Sequence, residues 1–281
     1  MTGGGICGEN VTWRLEGTAL TISGTGAMFD GGDLPEEFST YESIEQVVVK
    51  AGVTKVGDFA FSFCDNLRQV ELPDSVTAIG NSAFVLCGKL EDVKLSANVV
   101  TIGKSTFYGC WSLSRIKLSA SLVAIGESAF SNCAGLREVR IPAGVKTIGD
   151  KAFQGCERLK EVELPAAVER IGSKAFEHCE SLTEVTIPFG VKEIGDDVFN
   201  SCVYLKTIYC AAGCGFEDIL RAGNKATIVP TVAPVADGLQ WRLDGDTLTI
   251  IDADKLKSLS HDENAPWFDK RDSIKKIIIT V

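Results

Sequence analysis

One phrase recurs seven times down this chain in a single frame, and that period limits the fold more than any other feature. The dipeptides Val56-Gly57, Ile79-Gly80, Ile102-Gly103, Ile125-Gly126, Ile148-Gly149, Ile171-Gly172 and Ile194-Gly195 stand 23 residues apart without an insertion. In the same frame a phenylalanine recurs from Phe61 to Phe199, a cysteine from Cys64 to Cys202 and a leucine from Leu67 to Leu205. The consensus is V-x-x-I-G-x-x-A-F-x-x-C-x-x-L-x-x-V-x-[LI]-P. A unit this short cannot enclose its own apolar positions, whereas stacked units place each column on its own copy and close a continuous core. The chain therefore predicts a solenoid, with seven rungs at strand spacing extending roughly 34 Å.

Each unit divides in two. In L-x-x-V-x-L, for example LRQVEL at residues 67–72, Val70 and Leu72 fall on one side of an extended segment and Gln69 and Glu71 on the other, the pattern of a half-buried strand. After the glycine come Asp58, Asn81, Asp150, Ser173 and Asp196, residue types that cap helices, followed by A-F-x-x-C with apolar positions three apart. This half predicts a brief helical turn. The expected class is α/β: a right-handed β/α superhelix of 23-residue coils with a parallel sheet on one face and small β-rich flanking modules.

The flanks repeat as well. WRLEGTALTI at residues 13–22 returns as WRLDGDTLTI at residues 241–250, identical at seven of ten positions, and each copy reads as a hairpin. The first copy leads into Ile44, Val47 and Val49, which precede Leu67, Val70 and Leu72 by 23 residues and predict a capping strand. Phe216, Ile219 and Leu220 have the spacing of an amphipathic helix closing the far end. The expected division is an N-terminal hairpin capping module at 1–43, the solenoid at 44–210, a C-terminal cap at 211–229, a linker at 230–238 and a second copy of the first module at 239–281. That copy stops where the next coil would begin, so the chain is expected to be a piece of a longer polypeptide or to leave an edge that needs a partner.

With 28 basic against 38 acidic side chains and a net charge of −10, the chain lacks the clustered cations that nucleic-acid binding requires. No apolar run is long enough to span a bilayer as a helix, so no transmembrane segment is expected. The N-terminus, MTGGGICGEN, lacks the regions of a signal peptide and has the look of a start codon placed on a mature sequence.

The repeat phrase resembles the BspA-like branch of leucine-rich repeat proteins over residues 44–210, and the segment CGENVTWRLEGTALTISGTGAM at residues 7–28 is similar to what precedes such repeats in bacterial surface proteins. Ser96 and Ser119 depart from it in place of the strand-ending proline, as do Thr106 and Val198 in place of alanine. The resemblance implies an extracellular or cell-surface protein that adheres to a protein or glycan on host or neighbouring cells. It carries no catalytic residues and no cofactor.

Against that background several residues stand out. The cysteine ladder places one thiol per rung in a line, which suits packing rather than the converging ligands of a tetrahedral metal site. Cys210 and Cys214 lie outside it and read either as a local disulfide or as two thiols, according to compartment. The chain has two histidines, His178 and His261, and no inserted loop to build a reaction pocket, so it is not expected to be an enzyme. The acidic residues at 252–264 lack a calcium-loop pattern and read as a solvated loop. The outward strand column reads Glu71, Lys94, Lys117, Arg140, Glu163, Thr186 and Tyr209, with Arg115 beside it. Three consecutive rungs thus present a basic patch, open to a ligand or to relief by Asp92 and Glu138. Phe189 is an aromatic in a column of small residues, and Tyr209 ends the basic column; both are candidate contacts. A recognition surface on the strand face and a passive spacer within a longer surface protein are the two readings of function.

Overall fold

A computed structural model describes residues 2–31, 43–211, 215–231, 240–244, 247–251 and 276–280. The repeats coil into a solenoid of eight turns. Their leading strands are Gln46–Val49, Gln69–Glu71, Asp92–Lys94, Arg115–Ile116, Glu138–Arg140, Glu161–Glu163, Glu184–Thr186 and Thr207–Ala211. Each apolar position lies over its copy 23 residues on: Val47 pairs with Val70, and Val70 with Val93, in parallel register.

The expected single sheet is in fact two. Beside the leading strands runs a second parallel sheet of eight short strands, from Gly26–Ala27 and Val53–Val56 to Glu193–Ile194, built from the residues just before each glycine. This sheet is continuous. The leading sheet is not: it divides after Asp92–Lys94 and again after Glu161–Glu163.

The expected helical turns are absent. Among the described residues the one helix is Glu217–Arg221, and A-F-x-x-C runs as a series of turns with alternating backbone hand. Ser82 and Leu86, Ser128 and Asn132, and Lys174 and His178 all take positive φ between 52° and 59°. Residues at alternate positions point their N–H groups at the next rung, as in Phe84 N to Thr106 O at 2.9 Å and Phe130 N to Ala152 O at 2.8 Å. Those between donate back three residues, as Cys133 N does to Phe130 O at 3.1 Å. Bonds between rungs and bonds back three residues together take up most of the N–H groups of this stretch, so a helix would gain little. The residues that looked like helix caps act between rungs too. Asp58 Oδ1 accepts from Asn81 N–H at 3.1 Å, Asn81 Oδ1 from Lys104 N–H at 2.9 Å, and Asp150 Oδ1 from Ser173 N–H at 3.1 Å.

The invariant glycine has a different reason from the turn it suggests. A β-carbon on Gly149 would come within 2.6 Å of Glu127 N and of Gly126 C, and one on Gly80 within 2.5 Å of Asp58 N. Backbones of successive rungs touch there, and only hydrogen fits.

Inside, the seven phenylalanines form one file. Successive rings from Phe61 to Phe199 lie 5.3–5.6 Å apart and within 17° of parallel. Beside them the cysteines are buried, and each thiol from Cys87 to Cys202 donates to the carbonyl of the phenylalanine 26 residues earlier, at 3.1–3.3 Å. Cysteine is small and apolar yet carries a weak donor, which suits a position facing a carbonyl in a dry core. Cys133→Ala is expected to cost about 1–2 kcal/mol in urea denaturation, because Phe107 O keeps its bond from Cys110 N and the cavity is small. Burial pushes the Cys133 thiol up to about 12. The unfolded chain ionises first, near 8.5, so stability is complete below that pH and falls as pH rises toward 12, by about 1.4 kcal/mol per unit for each such thiol. The urea midpoint is therefore expected to drop between pH 7 and pH 10; a midpoint independent of pH in that window would contradict the buried ladder.

On the turn side, Glu177 is 5% exposed. Burial raises its pKa, but hydrogen bonds from Gln154, Asn200 and Lys174 more than offset that and hold it below the usual carboxylate range.

At the N-terminal end the strands Thr2–Gly8, Val11–Glu16 and Ala19–Gly24 form an antiparallel meander whose last member runs parallel to Gln46–Val49. The glycines at 3 and 5, featureless in the sequence, seat the Trp13 indole: a β-carbon on Gly5 would lie 2.9 Å from its Nε1. At the far end Leu220 is buried, with Phe216 and Ile219 packed on the core, as the helix spacing predicts. A strand at Thr227–Thr231 then extends the leading sheet by pairing with Thr207–Ala211. The second copy repeats the first in register. Trp241 faces Ile250 as Trp13 faces Ile22, and Ile250 faces Ile279 as Ile22 faces Val49.

Candidate binding face

The outward residues of the leading strands are exposed, and around the first break of that sheet they enclose a groove of about 820 Å³. Its floor is apolar: Val93, Ile116, Leu118 and Ile141 are 4–7% exposed, more open than the fully covered phenylalanine file behind them. Lys94, Lys117 and Arg140 rise from three successive rungs along it, and Arg115 stands in the neighbouring column. The four basic residues singled out in the sequence thus meet in one hollow.

Among the described residues, none of the four has a carboxylate within 4.0 Å, although Asp92 and Glu138 share the groove lining. Elsewhere four cations of the solenoid are paired across rungs. Arg68 meets Glu91 at 2.7 Å, Lys104 meets Glu127 at 3.0 Å, Arg170 meets Glu193 at 3.0 Å and Lys192 meets Glu169 at 2.7 Å, each partner one repeat away. Like charges at about 5 Å repel by up to about 1 kcal/mol per pair even in water. What sets this row apart on a chain of net charge −10 is that four cations without ion pairs share one hollow with an apolar floor.

Two of the departures from the repeat follow directly on the segments that carry Lys94 and Lys117, without lining the groove themselves. Ser96 and Ser119 end their strands in place of proline and hold the bend by hydrogen bonds: Ser119 Oγ donates to Ala97 O at 2.6 Å, and Ser96 Oγ accepts from Asn98 N at 3.0 Å.

The other nominated residues lie apart. Phe189, 38% exposed, and Tyr209, half-buried between Thr186 and Val229, stand two or more rungs beyond the groove and do not line it. Cys210 is buried, and Cys214, with the proposed disulfide, lies outside the described residues, as do His261 and the acidic run. His178 is exposed beside buried Cys179, so the two side chains point apart. Among the described residues no three His, Cys, Asp or Glu side chains converge as metal ligands, and no helix is long and apolar enough to cross a membrane.

Several exposed aromatics escaped the sequence reading, Phe59, Phe63, Tyr204 and Trp111 among them. Trp111 is 53% exposed, in a column that otherwise holds Asp65, Gly88, Ala134, Glu157, Glu180 and Val203. A large aromatic among small and polar residues was legible by the same criterion that picks out Phe189.

Over residues 35–160 and 101–215 the chain matches the BspA type leucine rich repeat region in six copies, more than half of its length. The chain belongs to the BspA-type leucine-rich repeat family. Solved structures of similar proteins agree with this. A leucine-rich repeat protein of T. pallidum is 30% identical, with 75% of this chain and 91% of that one covered and a TM-score of 0.58. A leucine-rich cell surface protein of Faecalibacterium prausnitzii is 26% identical, covering 89% of this chain and 60% of that one, also at 0.58. A Bacteroides ovatus repeat protein, 20% identical at a TM-score of 0.51, shares the fold. No protein of curated function matches the chain. Membership of the BspA-type family is consistent with a binding or scaffold role for the solenoid.

Proposed function

We propose that this BspA-type chain is a non-enzymatic recognition protein of the cell surface or the extracellular space, and that its strand-face groove binds an acidic ligand on a host or neighbouring cell. The observation that carries this is the clustering of four cations, Lys94, Arg115, Lys117 and Arg140, without ion-pair partners among the described residues, in one hollow of a chain that is acidic overall. Unpaired, pre-positioned cations over an apolar floor favour an anionic group more than a solvated surface does, since little of their attraction is already spent on neighbours. The Faecalibacterium relative, described as a cell surface protein, supports the location. The test is a screen of the chain against immobilised matrix proteins and acidic and neutral glycans. Retention on acidic members that fades with added salt is the expected result, and no retention on any member favours the spacer reading.

A further inference from the structure

Trp111 is not held as an exposed tryptophan at random would be. Its indole lies on Gly88, the residue at the same column one rung earlier: a β-carbon there would come within 2.6 Å of ring atoms Cε3 and Cζ3. The ring is thus pressed against backbone on one side, with more than half of its surface open. Around it is a hollow of about 440 Å³ that includes Ser112, Ser114, Arg137 and Arg158. The hollow has one carboxylate, Glu91, and Arg68 already engages it at 2.7 Å. Among the described residues neither arginine has an ion-pair partner.

This hollow is not isolated. A second one, of about 560 Å³, shares Ser114 and Arg137 with it and Arg115 and Glu138 with the groove of Lys94, Lys117 and Arg140. The three form one path across rungs, lined by seven cations and four carboxylates, so it is basic along its whole length on a chain that is acidic overall.

We propose that Trp111 is the stacking platform of a subsite for an acidic sugar, carboxylated or sulfated, at one end of a glycan chain laid along this path. An indole face carries the negative part of the ring quadrupole and attracts the polarised C–H groups on the flat side of a pyranose. Guanidinium groups match carboxylate and sulfate oxygens in a two-pronged geometry, and Arg137 and Arg158 supply them beside the ring. The hydroxyls of Ser112 and Ser114 and the indole N–H serve the sugar hydroxyls. An acidic peptide would be anchored instead by a pocket for an apolar side chain, which this hollow of polar groups and one flat ring does not offer. The run of the chain into the groove rests on the function proposed above; the stacked unit rests on Trp111 and its arginines alone.

The experiment titrates the full chain with short heparin oligosaccharides and with oligogalacturonate, using neutral dextran and polyglutamate as controls. Three variants accompany the wild type: Trp111→Ala, Trp111→Phe, and the triple change of Lys94, Lys117 and Arg140 to glutamate. The side chains concerned are exposed, so matching thermal melts check the fold. The expected result is binding of at least one acidic glycan and not of dextran, weakened about tenfold or more by Trp111→Ala and far less by Trp111→Phe, a tenfold change being 1.4 kcal/mol. If the triple variant loses binding while Trp111→Ala keeps it, the groove reading stands and the subsite is overturned. If Trp111→Ala loses binding while the triple variant keeps it, the subsite stands and the groove reading falls. Binding of polyglutamate with equal dependence on Trp111, or binding of neither acidic glycan, overturns the subsite.

Discussion

Truncating Phe130 to alanine is expected to destabilise the solenoid by about 3–5 kcal/mol, the cost of emptying a fully buried aromatic site. Phe130 is completely covered and stacks on Phe107 at 5.4 Å and on Phe153 at 5.3 Å, so its loss opens a cavity and takes one of two stacked neighbours from each of those rings. Stability in a stacked array is a sum of rung and interface terms, so damage at a middle rung weakens two interfaces and separates the array into halves. Urea denaturation followed by circular dichroism is expected to show a lower midpoint and a broadened or two-step transition. Phe199→Ala is the control, because among the described residues Phe199 has a single stacked neighbour, Phe176 at 5.6 Å, and should cost less. Equal losses at the two sites would show that stacking along the file adds nothing to burial.

Reversing the groove is expected to have the largest effect on binding. With Lys94, Lys117 and Arg140 all changed to glutamate, affinity for an acidic ligand should fall by at least a hundredfold, since each hydrogen bond to a charged group contributes about 1.5–3 kcal/mol. The remaining affinity should also respond less to salt, because fewer charges meet across the interface. The fold should be untouched or slightly firmer, as the wild-type row repels itself. Lys104→Glu is the matched control: Lys104 is already paired with Glu127 and lies off the groove, so surface plasmon resonance should register no loss of ligand binding. Unchanged affinity in the triple variant would remove the groove from consideration.

The period alone made the core legible, because a residue repeated in every copy of a stack touches itself, and the phenylalanine, cysteine and leucine columns are all buried. The two hairpins were legible from alternation around Glu16-Gly17 and its later copy, and Gly17 takes the positive φ of 63° that the turn demands. The turn side was misread because Phe84 and Cys87, three apart, fit a helix and a rung-to-rung ladder equally well. The discriminating signal sat in the column of Gly109, Asn132 and Gly155, residues that accept a left-handed backbone and do not recur on schedule inside helices. The second sheet hid for a related reason: pairs such as Ala78–Ile79 are too short to show alternation. The basic row was visible as a column, but its lack of partners was not, since an ion pair depends on rotamers and sheet breaks that no spacing encodes. Trp111 was visible and passed over; its seat on Gly88 requires the stack to be known first.

The direction of the rung-to-rung hydrogen bonds also sets how the molecule bears a load. Both sheets and the turn ladder bond along the long axis, so a pull on the two ends opens them like a zipper, one rung at a time, rather than shearing many bonds at once. Each rung that yields would release 23 residues, roughly 80 Å of extended chain from about 5 Å of folded length. A tether that lengthens in steps under modest force keeps a bound partner attached while the surfaces it joins move apart.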